Sequence, residues 1–599
     1  MAYFAEIEEN ARNAVDLMDG GERDNFLSWV SSSLLANAGT ADVAEAELTT
    51  AETDSDISMK EGLVMQLERL AAIPAVSLKP NSQLAGMAQT VAEKIRQLPD
   101  TWIIVSLMIG LQSELVISRI PTTGAAPISF CLPKVAWMKC MHEMDAIIQE
   151  SRKILSGHTA EEADLWSTEL KKKWWSTRKL LDERIEKAVL CMQETLGFWR
   201  CLLVKNTNMY SGQVVQSCWN ILASSKLGSI RLAERNLTLL SAVTDAQYWL
   251  SDSEVIDALH HIAAEIEAPM PDSIAQEILQ LIRSAGQHST EAIDSGHVSN
   301  LSKLSTERIA KMKVSEVKQL LVTEGLSTDG LKKVLVGRLI AARDAALLEE
   351  LTLQARGGSQ ECSTILILNH QLQQFPWEGM DVMGSSTGVT RMPSLDLILQ
   401  NAGRASPVTR VRRNRVRFLL NPAGDLKSTQ NQLGPILEGG TTTYGWEGVV
   451  GEIPDPDELR EYLLAADLYI YCGHGSGEAY LHRDKVMSLQ SDCSAALLFG
   501  CSSGRLERQG IFGPSGAVLA YLRAGSPAVL AMLWDVTDRD IDQLSVKVLQ
   551  EWLLADPEDE SDSRSLAQVL QGSRGVCKLK YLNGHAAVCY GLPLHVTKC

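Results

Sequence analysis

The chain has 599 residues, 45% hydrophobic, 22% charged and 5% aromatic, a composition that excludes wholesale disorder and fibrous repeats. Its 56 Lys and Arg against 74 Asp and Glu leave a net charge of −18, which excludes a general nucleic-acid binder but not one small basic module. At about 100–200 residues per domain, three to five domains are expected, each able to bury a core without a disulfide or metal staple. The twelve cysteines contain no CxxC pair, and the eleven histidines do not join them at zinc-finger spacing, so reduced thiols, no metal and no cofactor are expected. The N-terminus MAYFAEIEENARNA carries acids early and is not a signal peptide; the most apolar stretch, Trp102 to Ile120, is broken by Gln112, Ser113 and Glu114. An intracellular protein without membrane contact is expected.

In chain order, residues 1–96 form a helical N-terminal segment with an acidic linker at 36–59, which contains no lysine or arginine. Residues 97–284 open with two β-rich runs, TWIIVSLMIG and ELVISRI, joined as a hairpin, and ISFCLP adds a strand. Helices follow to about residue 283; in one, Leu181, Ile185, Val189 and Met192 recur at spacings of three and four on one face. Residues 285–308 are a polar linker, 309–345 a short helix–turn–helix, and 354–362 another break. From 363 to 599 apolar runs of strand length (STILILNH, VRFLLNP, DLYIYCGHG, AALLFGCSSG, PAVLAMLWDV) alternate with helical segments. This is the pattern of a mostly parallel α/β sheet flanked by helices, preceded by a mixed helical and β region.

In such sheets ligands bind beyond the carboxyl ends of the strands. Two of these strands end in reactive residues 27 positions apart, His474 and Cys501, a distance that accommodates one crossover. A cysteine attacks a carbonyl as thiolate, and a neighbouring imidazole takes its proton or stabilises its charge. Gly473, Gly475, Gly500 and Gly504 let the backbone come close, and the amides of Gly475 and Cys501 are the expected oxyanion hole. Cys472 and Cys493 lack this setting and are read as core. Absence of GxGxxG and GxxxxGK[ST] argues against dinucleotide or P-loop chemistry.

The segments YCGHGSGEAYL, LLFGCSSGRL and LWDVTDRDID resemble the three signature segments of separase, a cysteine protease of the caspase-like clan CD. QLQQFPWEGM and RMPSL are similar to its PWES and SRLPSL segments, with Gly379 in place of the first serine and Thr390 in place of the second. FLLNPAGDLKST resembles its LNPxxDL strand–loop, and CKLKYLNGHAAVCYGLPL its C-terminal block. LPDTWIIVSL and LDERIEKAVLCMQETLGFWRCLL resemble its upstream pseudo-protease, substrate-binding region. The resemblance implies a caspase-like protease domain over 363–599, with His474 as base and Cys501 as nucleophile.

It also implies cleavage after arginine, in the kleisin subunit of cohesin, releasing sister chromatids at anaphase. An arginine pocket needs a carboxylate. Asp535, Asp538, Asp540 and Asp542 lie just past a strand end; Asp535 ranks first, beside a Trp534 ring expected to wall the pocket, and Asp538 and Asp542 follow, Asp538 also suiting a helix N-cap. The five arginines between 410 and 417 are either a solvated basic edge or a seat for an acidic substrate or inhibitor segment. The implied partners are a securin-like inhibitor and a kinase–cyclin complex, in cytoplasm and nucleus. KMKVSEVKQLLVTEGLSTDGLKKVLVGRLIAARD resembles a SAP motif, with Leu320, Leu321, Leu326, Leu335 and Leu339 as core and Lys311, Lys313, Lys318, Lys332, Lys333 and Arg338 free for DNA phosphates. KKKWW at 171–175 is read as a solvated helix face with tryptophans turned inward. A different clan CD protease of the CHAT type, or a silent chromatin scaffold, are the competing readings.

Overall fold

A computed structural model describes residues 91–597, less several short internal stretches and most of 292–361. The N-terminal segment to residue 90, its acidic linker, and the linker beyond residue 291 lie outside the described residues. The strands in chain order are β1 (Trp102–Ile109), β2 (Leu115–Pro121), β3 (Ile128–Leu132), β4 (Ser363–Leu368), β5 (Gly388–Met392), β6 (Arg410–Arg412), β7 (Val416–Leu420), β8 (Glu447–Val450), β9 (Leu468–Cys472), β10 (Ala495–Phe499), β11 (Glu507–Gln509), β12 (Phe512–Ser515), β13 (Ala528–Met532), β14 (Ala587–Gly591) and β15 (His595–Thr597).

Eleven of them form one sheet in the order β3-β2-β1-β4-β5-β14-β13-β10-β9-β7-β8. The pairings are mostly parallel; β14 runs antiparallel to β13, and β1, β2 and β3 are joined by antiparallel pairs. β4, β9, β10, β13 and β14 are buried along their whole length, as strands covered by helices on both faces must be. At one edge, β8 exposes Glu447 and Gly448. The stretches before and after the polar linker share this sheet, because Trp102–Leu107 pair in parallel with Ser363–Leu368. Three sheet strands escape the periodicity reading: β5, β8 and β14, which are short and lie inside segments rich in glycine or polar residues.

Two long helices, α1 (Lys134–Ser156) and α2 (Thr168–Leu196), follow β3 and pack against each other. The expected stripe on α2 is the buried one: Leu181, Ile185, Val189 and Met192 are all in the core. Its N-terminal lysines 171–173 are exposed, while Trp174 and Trp175 are half-buried and Trp175 lies under Lys578 Nζ, 3.5 Å from the ring centroid. α2 also holds the C-terminal block, since Asp182 Oδ1 accepts from the amides of Tyr581 (2.8 Å) and Leu582 (2.7 Å). The helix Asp272–Glu291 runs past residue 285, where the sequence suggests a linker to begin.

Ile309, Val317, Leu321, Leu335 and Leu339, with Leu320, form a small core separate from the main one. Leu326, Lys311, Lys333 and Arg338 lie outside the described residues. No helix among the described residues is long and apolar enough to cross a membrane.

Candidate active site

β9 and β10 are neighbours and parallel, with Phe499 opposite Cys472. Two residues past each of these, His474 and Cys501 follow at the same sheet edge on adjacent strands. β13 is the next strand, with Leu497 opposite Leu530, so Trp534 and Asp535 arrive level with Cys501 and Ser502. β7 ends there too, as Leu420 is opposite Cys472, and antiparallel β14 begins there, as Ala587 is opposite Met532. Five loops therefore converge beyond one end of the strands, where open α/β sheets bind ligands.

The crossing of the two central loops depends on glycine. A Cβ on Gly500 would lie 2.0 Å from the Gly475 carbonyl oxygen and 2.6 Å from that of Gly473. Gly475 has φ +61°, and the Tyr471 hydroxyl donates to the His474 carbonyl at 2.6 Å, which fixes the turn. The amides of Gly475 and Cys501 donate to no group among the described residues, whereas the neighbouring amides of Ser502, Ser503 and Gly504 are all bonded.

His474 is 59% exposed and its Nε2 lies 2.9 Å from Asp425 Oδ2. Among the described residues no hydrogen bond joins His474 to Cys501; the Cys501 thiol donates instead to the Val536 carbonyl at 3.1 Å. Burial pushes this thiol up to about 11; the Val536 backbone and Arg178 oppose the effect, and Asp538 and Asp535 add to it. Cys472 and Cys493 are buried, as expected of core thiols.

Asp425, Arg178 and Arg152 are missed by the sequence reading. Asp425 lies in the NPAGDL loop after β7, which is shaped by Asn421. That residue has φ +49°, donates its amide to the Cys472 carbonyl (2.7 Å) and accepts from the Leu426 amide (2.9 Å) through Oδ1. The only sequence signal for Asp425 is its place in the segment that resembles LNPxxDL. Arg178, on α2, is fully buried and donates to Ser151 Oγ (2.7 Å) and Asn583 Oδ1 (3.0 Å). No local pattern marks it, because it stands among solvated lysines.

The aspartates past β13 part company. Asp535, ranked first for the arginine pocket, already pairs with Arg152 Nε at 3.2 Å through Oδ2 and accepts from Ser502 Oγ at 2.6 Å through Oδ1. Asp540 is buried and accepts from Asn583 Nδ2 and the Leu579 amide. Asp538 is the first residue of helix α4 (Asp538–Val548) after α3 (Lys427–Tyr444); the N-cap is Thr537, not Asp538. The protein around the Asp538 carboxyl holds its pKa above the usual range, against the pull of His474. Asp542 is 1% exposed, accepts from Thr429 Oγ1 (3.1 Å) and Gln432 Nε2 (3.2 Å) on α3, and is pushed up to about 7, chiefly by burial. Trp534 is 1% exposed with its indole N–H on the Leu582 carbonyl at 2.7 Å, so the ring backs the loop from the core instead of facing solvent.

Four of the five arginines at 410–417 are tied to groups of the fold, and Arg410 is exposed. Arg412 and Arg415 pair with Asp467, Arg417 pairs with Glu447, and the buried Arg413 donates to the Ala555 carbonyl. The segments resembling PWES and SRLPSL meet inside the core. There Arg391 donates to Glu378 at 2.7 and 2.6 Å and to the carbonyls of Gln373 and Phe375. Burial opposes the Glu378 charge, but Arg391 holds its carboxyl below the usual range.

The family model described as the separin protease domain matches residues 110–541. The chain belongs to the separin protease-domain family. A separin of Emericella nidulans is 28% identical over 560 residues, 88% of this chain and 24% of its own length. One of Schizosaccharomyces pombe is 29% identical over 529 residues, 84% of this chain and 25% of its own. One of Mus musculus is 38% identical over 261 residues. The chain thus spans about a quarter of the length of the first two relatives. Among solved structures, a Saccharomyces cerevisiae separase–securin complex matches with a TM-score of 0.61 at 20% identity, covering 85% of this chain and 32% of that one. The family's fold, a large and mostly parallel sheet flanked by helices, is the fold described above.

Proposed function

We propose that the chain is a cysteine endopeptidase with separase activity, cleaving after arginine in the kleisin subunit of cohesin. The observation that carries this reading is the position of His474 and Cys501 just beyond the ends of the adjacent strands β9 and β10, next to two amides that have no acceptor among the described residues. Cys501 Sγ attacks the scissile carbonyl carbon. His474 takes the thiol proton and returns it to the leaving amine, and the amides of Gly475 and Cys501 receive the oxyanion. Asp425 orients the imidazole through Nε2, which leaves Nδ1 for the thiol. Since burial holds the resting thiol protonated, its proton passes to His474 as the sulfur attacks.

The arginine pocket is assigned to Asp538 and Asp542. Asp535 has an intrachain guanidinium in Arg152 and Asp540 shares the field of the Arg178 charge, whereas no arginine or lysine of the described residues pairs with the other two. Securin-like inhibition is proposed by likeness to the Saccharomyces cerevisiae complex. Control by a kinase–cyclin complex, action in cytoplasm and nucleus, and DNA contact through 309–345 belong to the same proposal.

The test uses the purified chain and its Cys501→Ser variant on a fluorogenic Glu-x-x-Arg peptide with an Arg→Ala control. Cleavage by the parent alone, absent with the control peptide, is expected. Absence of both cleavage and labelling by an arginine acyloxymethyl ketone would favour the scaffold reading.

A further inference from the structure

Ser502, next to the nucleophile, has φ +56°, a conformation that a non-glycine residue holds only when its surroundings impose it. Three bonds run from this loop to the segment after β13. Cys501 Sγ donates to the Val536 carbonyl (3.1 Å), the Ser502 amide to the Trp534 carbonyl (3.2 Å), and Ser502 Oγ to Asp535 Oδ1 (2.6 Å). The other Asp535 oxygen is held by Arg152 of α1, at 3.2 Å. One residue earlier on α1, Ser151 Oγ accepts from Arg178, which continues to Asn583 and from there to Thr537 Oγ1 and Asp540 Oδ2. Adjacent residues of α1 thus reach both ends of the 535–540 segment.

We infer that Arg152 and Asp535 are positioning residues that clamp the nucleophile loop through Ser502, so that helix α1, about 350 residues upstream in sequence, completes the active site of the protease strands. This inference rests on the cysteine-protease reading and removes Asp535 from the arginine pocket. Each half of the pair fits its task. A carboxylate offers two oxygens, one for the serine and one for the guanidinium, and Arg152 reaches it from a helix whose buried face, ending in Ile147, Ile148 and Ser151, fixes its position. The pair is 37% and 30% exposed, so water can solvate a reversed pair.

Four variants test it: Arg152→Ala, Asp535→Asn, Ser502→Ala and the swap Arg152→Asp/Asp535→Arg. Two readouts are taken, kcat and KM on the arginyl peptide, and the rate of Cys501 alkylation by iodoacetamide across pH, read by peptide mass spectrometry. The second needs no proteolysis, so it decides the clamp even if the parent cleaves nothing and the protease reading falls. Each single variant is expected to lower kcat about tenfold with KM within about twofold, and to change the alkylation profile. The swap should recover most of the loss. A large rise in KM with Asp535→Asn, beside an unchanged kcat and alkylation profile in Arg152→Ala, would overturn the clamp and return Asp535 to the arginine pocket. If Arg152→Ala fails to fold, Ser502→Ala decides: an unchanged kcat and alkylation profile there overturns the clamp.

Discussion

Gly500 presses against Gly475. A side-chain carbon on the first would lie 2.0 Å from the carbonyl oxygen of the second, well inside van der Waals contact. The loops that carry Cys501 and His474 touch through this gap, so its closure sets their spacing. Gly500→Ala is expected to abolish cleavage and to cost about 1–3 kcal/mol of stability through overpacking. Urea denaturation and Cys501 alkylation on the same sample separate the two effects, and an active Gly500→Ala enzyme would refute the argument.

Glu378 and Arg391 form a bidentate pair at 2% and 0% exposure, far from water. Removing one partner leaves a buried charge unpaired, at a cost of about 3–5 kcal/mol. Glu378→Gln should therefore lower the urea midpoint sharply. The Glu378→Gln/Arg391→Met double variant leaves no charge unpaired but strips the donors from the Gln373 and Phe375 carbonyls, so it should recover only the part of the loss that is due to the unpaired charge.

Gly379 stands where the resembling PWES segment has serine. A Cβ there would sit 3.5 Å from His585 Nδ1, a buried nitrogen without a hydrogen-bond partner. Burial drives the His585 pKa well below its ordinary value, so the ring is neutral and Nδ1 can accept in one tautomer. Gly379→Ser supplies a hydroxyl donor and should raise stability by about 1 kcal/mol, while Gly379→Ala should not. Paired thermal melts of the two variants check this.

Asp542 titrates near 7, raised from 3.8 chiefly by burial. Below both values it is neutral in folded and unfolded chain alike. As pH rises from about 4 to 7 the unfolded chain loses the proton first, so stability falls over that window by something of the order of 4 kcal/mol. Asp542→Asn should flatten this part of the stability–pH curve. Above 7 the carboxylate is charged and can pair with a substrate guanidinium, so KM for an arginyl peptide should fall between pH 6 and 8 in the parent only. A KM independent of pH would remove Asp542 from the pocket.

Much of this molecule can be read from its chain. Buried strands such as Leu468–Cys472 and Ala495–Phe499 are continuous apolar runs followed by glycine and a reactive residue, so their class and their candidate site residues are visible together. Helix α3 is hidden, because Gly434, Pro435, Gly439 and Gly440 argue against a helix. Packing on α4 overrides propensity there, and Gly440 is required because a Cβ would lie 2.0 Å from the Trp446 ring. Strand β14 is hidden for a related reason: short and preceded by Asn583 and Gly584, it is recognisable as a strand only by its partners β13 and β5.

The sequence by itself determined the fold class and the family, and it marked His474 and Cys501 as the candidate pair, because strand burial and glycine-flanked strand ends are local properties that a linear pattern records. Its ranking of the aspartates after β13, with Asp535 first, rested only on the neighbouring Trp534, since four carboxylates within eight positions look alike until their surroundings are known. Only the tertiary structure placed Arg152 on Asp535, Asn583 on Asp540, and Thr429 and Gln432 on Asp542. Those partners come from tens to hundreds of residues away, and the role of a carboxylate is set by the charge and burial around it.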